Sequence, residues 1–327
     1  MTDNQHIKWG VVGTTGFAGN FFAPAVRNAE NADLHAVCGS DIHRAREFAD
    51  KMGAQRAYGS VEELAADQIV EAVWVASPNH MHHEHAKTLL EAGMHVLCEK
   101  PVDISPGGAR LLFSVAAVAG KKLTVGYNMR QDPVLKKLRE RVMNGEFGKP
   151  SLMRINRFHA YPDDPSEWRK SKETSGGWSI NDIGTHCIDQ CIWFLGSAEN
   201  VSGHLTTVRF DVDTDDLAVV GMDFESGAVG SIEVSTALQA GAPRVEFYGT
   251  KGWFAAELTR MASVKRRWEQ IGDEPAREIP VEKDADLFKL EAEAFSRAVA
   301  GHEDVAVGAD DAVHNIEIIE QARGYRL

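Results

Sequence analysis

Cysteine is scarce in this chain: Cys38, Cys98, Cys187 and Cys191 are the whole complement among 327 residues, with neither C-x-x-C nor disulfide-framework spacing. Two end predicted strands and two share a predicted helix, so reduced, buried thiols are expected and a disulfide scaffold is excluded. Positive charge is also short, with 35 basic against 48 acidic side chains and a net charge of −13. Nucleic acid and anionic membrane both require a basic footprint, so neither is an expected partner. No apolar run approaches the ~18 residues of a spanning helix. The chain passes from Met1 through polar residues into a strand without an apolar signal core, which points to a soluble, cytoplasmic protein. What remains is ordinary in amount: 43% hydrophobic and 25% charged residues, enough for two domains of about 100–150 residues.

The first half alternates strand and helix. His6–Val12 reads as a strand, followed by Gly13-Thr14-Thr15-Gly16-Phe17-Ala18-Gly19 and a helix to about Asn28. Glycines let the backbone approach a phosphate while helix N–H groups face the anion, so Gly13 to Ala18 are candidate cofactor contacts. Thr15 stands where the second glycine of G-x-G-x-x-G/A belongs. Leu34–Cys38 is the second strand, whose end should read the ribose. It carries Gly39 rather than an acid, with Asp41 two places on. Ser40 and Arg44 would accept a 2′-phosphate, so NADP is expected over NAD, although Arg44 equally suits the outer face of helix 42–52.

Ser60 to Glu63 form a capping box, and Ala72–Ala76 a buried strand ending in Ser77-Pro78-Asn79. His80, His82, His83 and His85 invite a metal reading. With no cysteine or acid cluster beside them, N-cap and surface histidines are expected instead, and no metal. Helices over 106–119 and 133–144 and a strand over Leu123–Gly126 complete a doubly wound, mostly parallel sheet. Between them lies Val96-Leu97-Cys98-Glu99-Lys100-Pro101. The proline keeps Lys100 out of the α region, placing it at the carboxyl end of a strand, the edge where open parallel sheets bind ligands.

From Ser151 the pattern turns to strands, including 151–158, 201–210, 216–224, 228–236 and 243–248, with a long loop over 159–175. Consecutive strands imply an α+β domain with a large, mostly antiparallel sheet. One helix interrupts them, from about Ser179 to Leu195. Its apolar stripe includes Ile183, Cys187, Ile188 and Cys191, while Asp182, His186 and Asp189 form a polar stripe. Gly184 costs such a helix about 1 kcal/mol relative to alanine, which suggests a ligand or backbone crossing close by. An Asp–His pair on a solvated helix face is the alternative.

Together these stretches resemble the glucose–fructose oxidoreductase/inositol dehydrogenase/MocA (Gfo/Idh/MocA) family. The resemblance rests on the Gly13–Ala18 turn, Ser77-Pro78-Asn79…His82 and Ala92-Gly93-Met94-His95-Val96-Leu97-Cys98-Glu99-Lys100-Pro101. It continues through Gly126-Tyr127-Asn128-Met129-Arg130, Gly176-Gly177…Asp182-Ile183-Gly184-Thr185-His186…Asp189 and Tyr248-Gly249-Thr250-Lys251-Gly252. It implies a Rossmann domain over 1–126 and a substrate-binding and oligomerisation domain over 127–327, with C-terminal helices free to pack back on the first. It also implies a cis Lys100–Pro101 peptide, an active site between the domains, and a homodimer or homotetramer formed through an open sheet.

Cofactor contacts implied by the resemblance are Ser77, Pro78, Asn79, His82, Glu99, Lys100 and Asn128. The implied activity is oxidation or reduction of one secondary carbinol of a sugar or cyclitol. His186 would be the general base, Lys100 would hold the same oxygen, and Asp182 would orient hydroxyls. Arg130, Tyr161, Trp168, Arg169 and Trp178 are candidates for a pocket that takes a carbohydrate or a carboxylated sugar; packing explains them almost as well. Two other classes share the scaffold: glycosidases that recycle a bound dinucleotide, and non-catalytic dinucleotide sensors.

Overall fold

Short buried aliphatic runs, each stopped by glycine or a polar cap, build the first sheet of the computed structural model. The structure describes residues 6–14, 16, 18–164, 167–239, 241–281 and 285–324; Thr15 and Phe17 of the glycine-rich turn lie outside them. The chain divides into two units, one of residues 1–128 and 286–313, the other of 129–285 and 314–327. In the first, β1 (Ile7–Val12), β2 (Ala32–Cys38), β3 (Arg56–Tyr58), β4 (Ala72–Val75), β5 (His95–Cys98) and β6 (Leu123–Val125) stand in the order β3-β2-β1-β4-β5-β6. Every pairing is parallel. Helices α1 (Ala23–Asn28), α2 (Ile42–Met52), α3 (Val61–Ala65), α4 (His82–Glu91) and α5 (Pro106–Ala119) make the crossovers. The order reverses between β1 and β4, and a doubly wound sheet takes its ligand at that switch point.

Local chemistry sets the helix ends. Asp41, Ser60 and Ser105 accept the amides of Arg44, Glu63 and Gly108, while Gly53 and Gly120 close α2 and α5 in the left-handed conformation. The helix after the glycine turn opens as a π turn, Ala18–Phe22, before α1.

The second unit holds α6 (Pro133–Met143), β7 (Pro150–Phe158), α7 (Lys172–Ser175), α8 (Thr185–Leu195), β8 (Ala198–Thr206), β9 (Leu217–Phe224), β10 (Val229–Ser235), β11 (Arg244–Gly249), β12 (Gly252–Leu258), β13 (Val264–Ile271) and β14 (Arg277–Ile279). The eight strands run β14-β13-β12-β11-β7-β10-β9-β8. Only β7 and β10 pair in parallel; the other pairings are antiparallel. Strands β12 to β14 carry the sheet beyond the strands expected from sequence.

Strand β8 ends at Thr206 rather than 210. The Asp216 carboxylate takes the amides of Val208, Arg209 and Phe210 at 2.7–2.9 Å, which turns the chain off the ladder. The 159–175 loop contains a 3-10 turn at Trp168–Lys170 before α7. Past the sheet, α9 (Leu287–Val299) belongs to the first unit, where Ser296 Oγ accepts the Trp9 indole N–H at 2.9 Å. In α10 (Ala309–Gly324), residues from His314 onward belong to the second unit. No helix among the described residues is long and apolar enough to cross a membrane.

Candidate active site

In the first unit, Gly13 follows β1 with φ at +123°, and a Cβ there would lie 2.7 Å from the Ala18 Cβ and 3.2 Å from the Ala76 carbonyl. The turn therefore closes against both the start of the helix and the end of β4, which only glycine permits. Gly16 also has positive φ, at +54°, but a Cβ there would meet nothing within 4 Å among the described residues. Asn128, past β6, is buried, and its Oδ1 has no hydrogen-bond partner among the described residues. A tight turn with open space over Gly16 at the switch point, plus a buried acceptor left for a ligand, fits a dinucleotide.

At the end of β2, a Cβ on residue 39 would sit 2.9 Å from Thr14 Oγ1, so Thr14 fills the place where an acidic side chain would start. Ser40 and Arg44 are exposed beside it. Asp41 is committed as the cap of α2, and the Arg44 amide holds its carboxyl below the usual range.

The histidines after β4 are neither a metal cluster nor surface caps as a group. Among the described residues no set of side chains could hold a metal ion. His82 is fully buried, its Nδ1 2.7 Å from the Pro101 carbonyl and its Nε2 2.7 Å from the Ser77 carbonyl. Burial lowers its pKa to about 4 against the pull of the two carbonyls. A neutral ring has one N–H and so donates to only one of these carbonyls; His82 lies buried between the Ser77-Pro78-Asn79 loop and the Lys100–Pro101 turn, whereas the resemblance had placed it on the cofactor. His85 Nδ1 meets Ser77 Oγ at 2.9 Å, and His83 pairs with Asp103 at 2.7 Å. Lys100 is half-buried two residues beyond β5, and its peptide to Pro101 is cis. The neighbouring Glu99 accepts the Trp74 indole N–H at 3.0 Å and lies against Gly126, where a Cβ would come within 2.7 Å of its Oε1.

In the second unit, the helix expected from Ser179 begins as a π turn, Ile180–Gly184, and continues as α8. Asp215 fixes the junction: its carbonyl accepts the Ser179 amide, and its Oδ2 the Ile180 amide at 2.7 Å. From Ser175 to Ile192 every residue is buried except Asp182 and His186. The Tyr161 hydroxyl donates to Asp182 Oδ2 at 2.7 Å, and Arg169 Nε lies 3.6 Å from Oδ1. Burial and the Asp182 charge push the Tyr161 phenol well above its ordinary pKa, so it stays a donor. Arg169 also bonds Glu167 and stacks on Trp168, 4.4 Å from the ring centre.

Of the two expectations at Gly184, a ligand or a chain crossing close by, the crossing is there: a Cβ would meet Ile180 Cδ1 at 2.9 Å and Val234 Cγ2, from β10, at 3.4 Å. Three other expectations change. Asp189 leaves the polar stripe: it is buried and bound by the Arg130 guanidinium through Nε and Nη2 at 2.7–3.1 Å. Arg130 is therefore a buried partner of Asp189 rather than a lining of a sugar pocket. Trp178 is fully buried and packs on Phe210, centroids 4.8 Å apart, in the core instead of the pocket. Arg157 and Arg260 carried no signal in the sequence; only the strand order brings these residues, 103 apart, into contact.

Residues 7–127 match the family model described as an oxidoreductase family with an NAD-binding Rossmann fold, and residues 135–255 match the Gfo/Idh/MocA C-terminal domain. The chain is 31% identical to myo-inositol 2-dehydrogenase of Thermotoga maritima over 316 residues, covering 93% of this chain and 92% of that one. It is 26% identical to 1,5-anhydro-D-fructose reductase of Ensifer adhaerens over 313 residues, covering 94% and 93%. Aldose-aldose oxidoreductase from Caulobacter crescentus, solved with glycerol, shares the fold with a TM-score of 0.90 at 22% identity, covering 98% of this chain and 99% of that one. With both domains matched and nearly a third of its residues shared along almost its whole length, the chain belongs to the Gfo/Idh/MocA family of oxidoreductases.

Proposed function

We propose that the protein is an NAD(P)-dependent sugar or polyol dehydrogenase, or ketosugar reductase, acting on a secondary carbinol or ketone of a sugar, sugar derivative or cyclitol. The observation that carries this reading is the pair Asp182 and His186, the two side chains left accessible in an otherwise buried stretch of eighteen residues. Burying the rest of the junction while leaving an acid and an imidazole one turn apart suits proton transfer at a polyhydroxylated ligand. His186 takes the carbinol proton and returns it in the reverse direction. Lys100 holds the same oxygen and favours alkoxide over neutral alcohol. Asp182, kept in place by Tyr161 and Arg169, accepts hydrogen bonds from neighbouring hydroxyls. Trp168 and Arg169 line the sugar side. The nicotinamide, when bound, donates or accepts the hydride.

The cofactor is read as NADP, on the filled position at Gly39 and the exposed Ser40 and Arg44. Gly13, Thr14, Gly16, Ala18, Ser77, Pro78, Asn79, Glu99, Lys100 and Asn128 are its other proposed contacts. Four free, buried cysteines suit a reducing cytoplasm, and the family suggests a homodimer or homotetramer through the eight-stranded sheet.

The test is a turnover screen with NAD and NADP against monosaccharides, anhydrosugars, inositols and sugar acids, followed by reduced-cofactor absorbance. A substrate whose turnover vanishes in His186→Ala supports the reading. Cleavage of a chromogenic glycoside with no net cofactor turnover would replace it with a cofactor-recycling glycosidase.

A further inference from the structure

Several arginines of this acidic chain are matched with carboxylates: Arg130 with Asp189, Arg141 with Glu146 and Glu269, Arg169 with Glu167, Arg266 with Glu278, Arg297 with Glu303. Arg157 and Arg260 are not, and they lie against each other. Among the described residues neither pairs with a carboxylate; Arg157 Nη2 reaches the Arg260 carbonyl at 3.5 Å, and Arg260 Nη2 donates to His159 Nε2 at 2.7 Å. Arg157 Nη1 is buried and bonded to nothing among the described residues.

Strand register says where these charges lie. Arg157 pairs with Val234, whose Cγ2 faces Gly184, so Arg157 shares the sheet face packed against the π turn that carries Asp182. His159 follows in the same chain, its ring edge-on to Tyr161 with centroids 4.9 Å apart, and Tyr161 donates to Asp182. Burial, then the Arg260 charge, hold the His159 pKa below its ordinary value, so its Nε2 accepts from Arg260.

Arg260 is exposed in the hairpin between β12 and β13, closed by Thr259 N–H to Ser263 O at 2.8 Å and Ala262 N–H to Thr259 O at 3.0 Å. Ala262 has φ at +73°, a left-handed conformation that a residue with a Cβ rarely takes. Backbone held in such conformations clusters at ligand-contacting segments.

A half-buried guanidinium with one buried, unbonded nitrogen and no counter-charge among the described residues favours an incoming anion. An exposed guanidinium beside it supplies the planar fork that receives carboxylate or phosphate. Asp182 does not meet this need, being shared by Tyr161 and Arg169. We propose that Arg260, backed by the half-buried charge of Arg157, receives an anionic substituent, so that the substrate is a carboxylated or phosphorylated sugar. This rests on the sugar oxidoreductase reading above and narrows its substrate class.

The experiment compares an aldose, its uronic acid and its 6-phosphate, each by turnover and by thermal shift of the cofactor-loaded protein, in wild type, Arg260→Gln, Arg260→Lys and Arg157→Gln. Wild type is expected to favour one anionic sugar; which one separates carboxylate from phosphate. Its kcat/KM ratio, anionic over neutral, falls about 10–100-fold in Arg260→Gln and recovers in part in Arg260→Lys. Arg260 is on the surface, so this arm stands even if Arg157→Gln does not fold. Turnover of the neutral aldose with no anionic preference overturns the subsite and leaves the oxidoreductase reading intact. Stabilisation by an anionic sugar that Arg260→Gln abolishes, without turnover of any sugar, supports the subsite and refutes the oxidoreductase reading.

Discussion

The Arg130–Asp189 pair shows how a single residue changes meaning once its partner is known. In the sequence, Arg130 follows the Gly-Tyr-Asn stretch and reads as a substrate contact; the structure buries it against a carboxylate 59 residues on. Removing one buried partner breaks this close ion pair, so Asp189→Asn is expected to destabilise the fold by about 3–5 kcal/mol. The pairwise exchange Arg130→Met/Asp189→Leu costs clearly less, as denaturant unfolding of the three proteins would show. Equal losses would mean that the ion pair is not what the arginine is there for. Arg44 is the opposite case, exposed on α2 with its guanidinium in no ion pair among the described residues. Arg44→Ala is expected to weaken NADP binding and spare NAD in a fluorescence titration; equal loss of both would refute the cofactor preference.

Elements were more legible than side-chain partners, because strand runs and capping chemistry are local. The Ser60 capping box is visible in the sequence, and Ser60 accepts the Glu63 amide as its chemistry dictates, whereas Asp41, read beside the ribose site, turns out to cap α2. Asp182 and His186 are the two accessible residues between Ser175 and Ile192, one on the π turn and one on the helix that follows. What sequence could not show was long-range: the end of β8, set by the Asp216 carboxylate, and the neighbours of Gly184, set by β10. The glycine turn gives a test at this scale. Gly13→Ala puts a Cβ 2.7 Å from Ala18, so the turn must shift, while Gly16→Ala meets nothing and bears only the left-handed backbone cost of about 1–2 kcal/mol. Cofactor affinity is expected to fall at least several-fold further in Gly13→Ala than in Gly16→Ala, and a reversed order would mean that the cradle is not closed at Gly13.

The molecule as a whole carries a pH dependence set by histidines kept neutral. Burial lowers both His82 and His95 to about 4, and the His95 Nδ1 accepts the Lys122 amide, which a protonated ring cannot do. Between about pH 6.5 and 4 the unfolded chain binds protons at these positions that the folded one does not. Stability is therefore full above pH 7 and falls as pH drops through that window, by on the order of 1–2 kcal/mol per histidine at pH 5. Urea midpoints in His95→Gln, whose amide oxygen can still accept from Lys122, are expected to fall less steeply than in wild type; an unchanged slope would exclude His95 as a source.

The buried thiols make a second global expectation. Burial pushes Cys38 and Cys187 up to about 12 and Cys98 and Cys191 well above their ordinary value, so a thiol reagent at pH 8 finds four groups only after unfolding. The most direct test of the central claim is to measure kcat and cofactor Kd together for Lys100→Ala and His186→Ala on one identified sugar. Both variants are expected to lose about 10²–10⁴-fold in kcat with cofactor Kd nearly unchanged. Near wild-type turnover in either would contradict the assignment of the lysine and the histidine to one reacting carbinol.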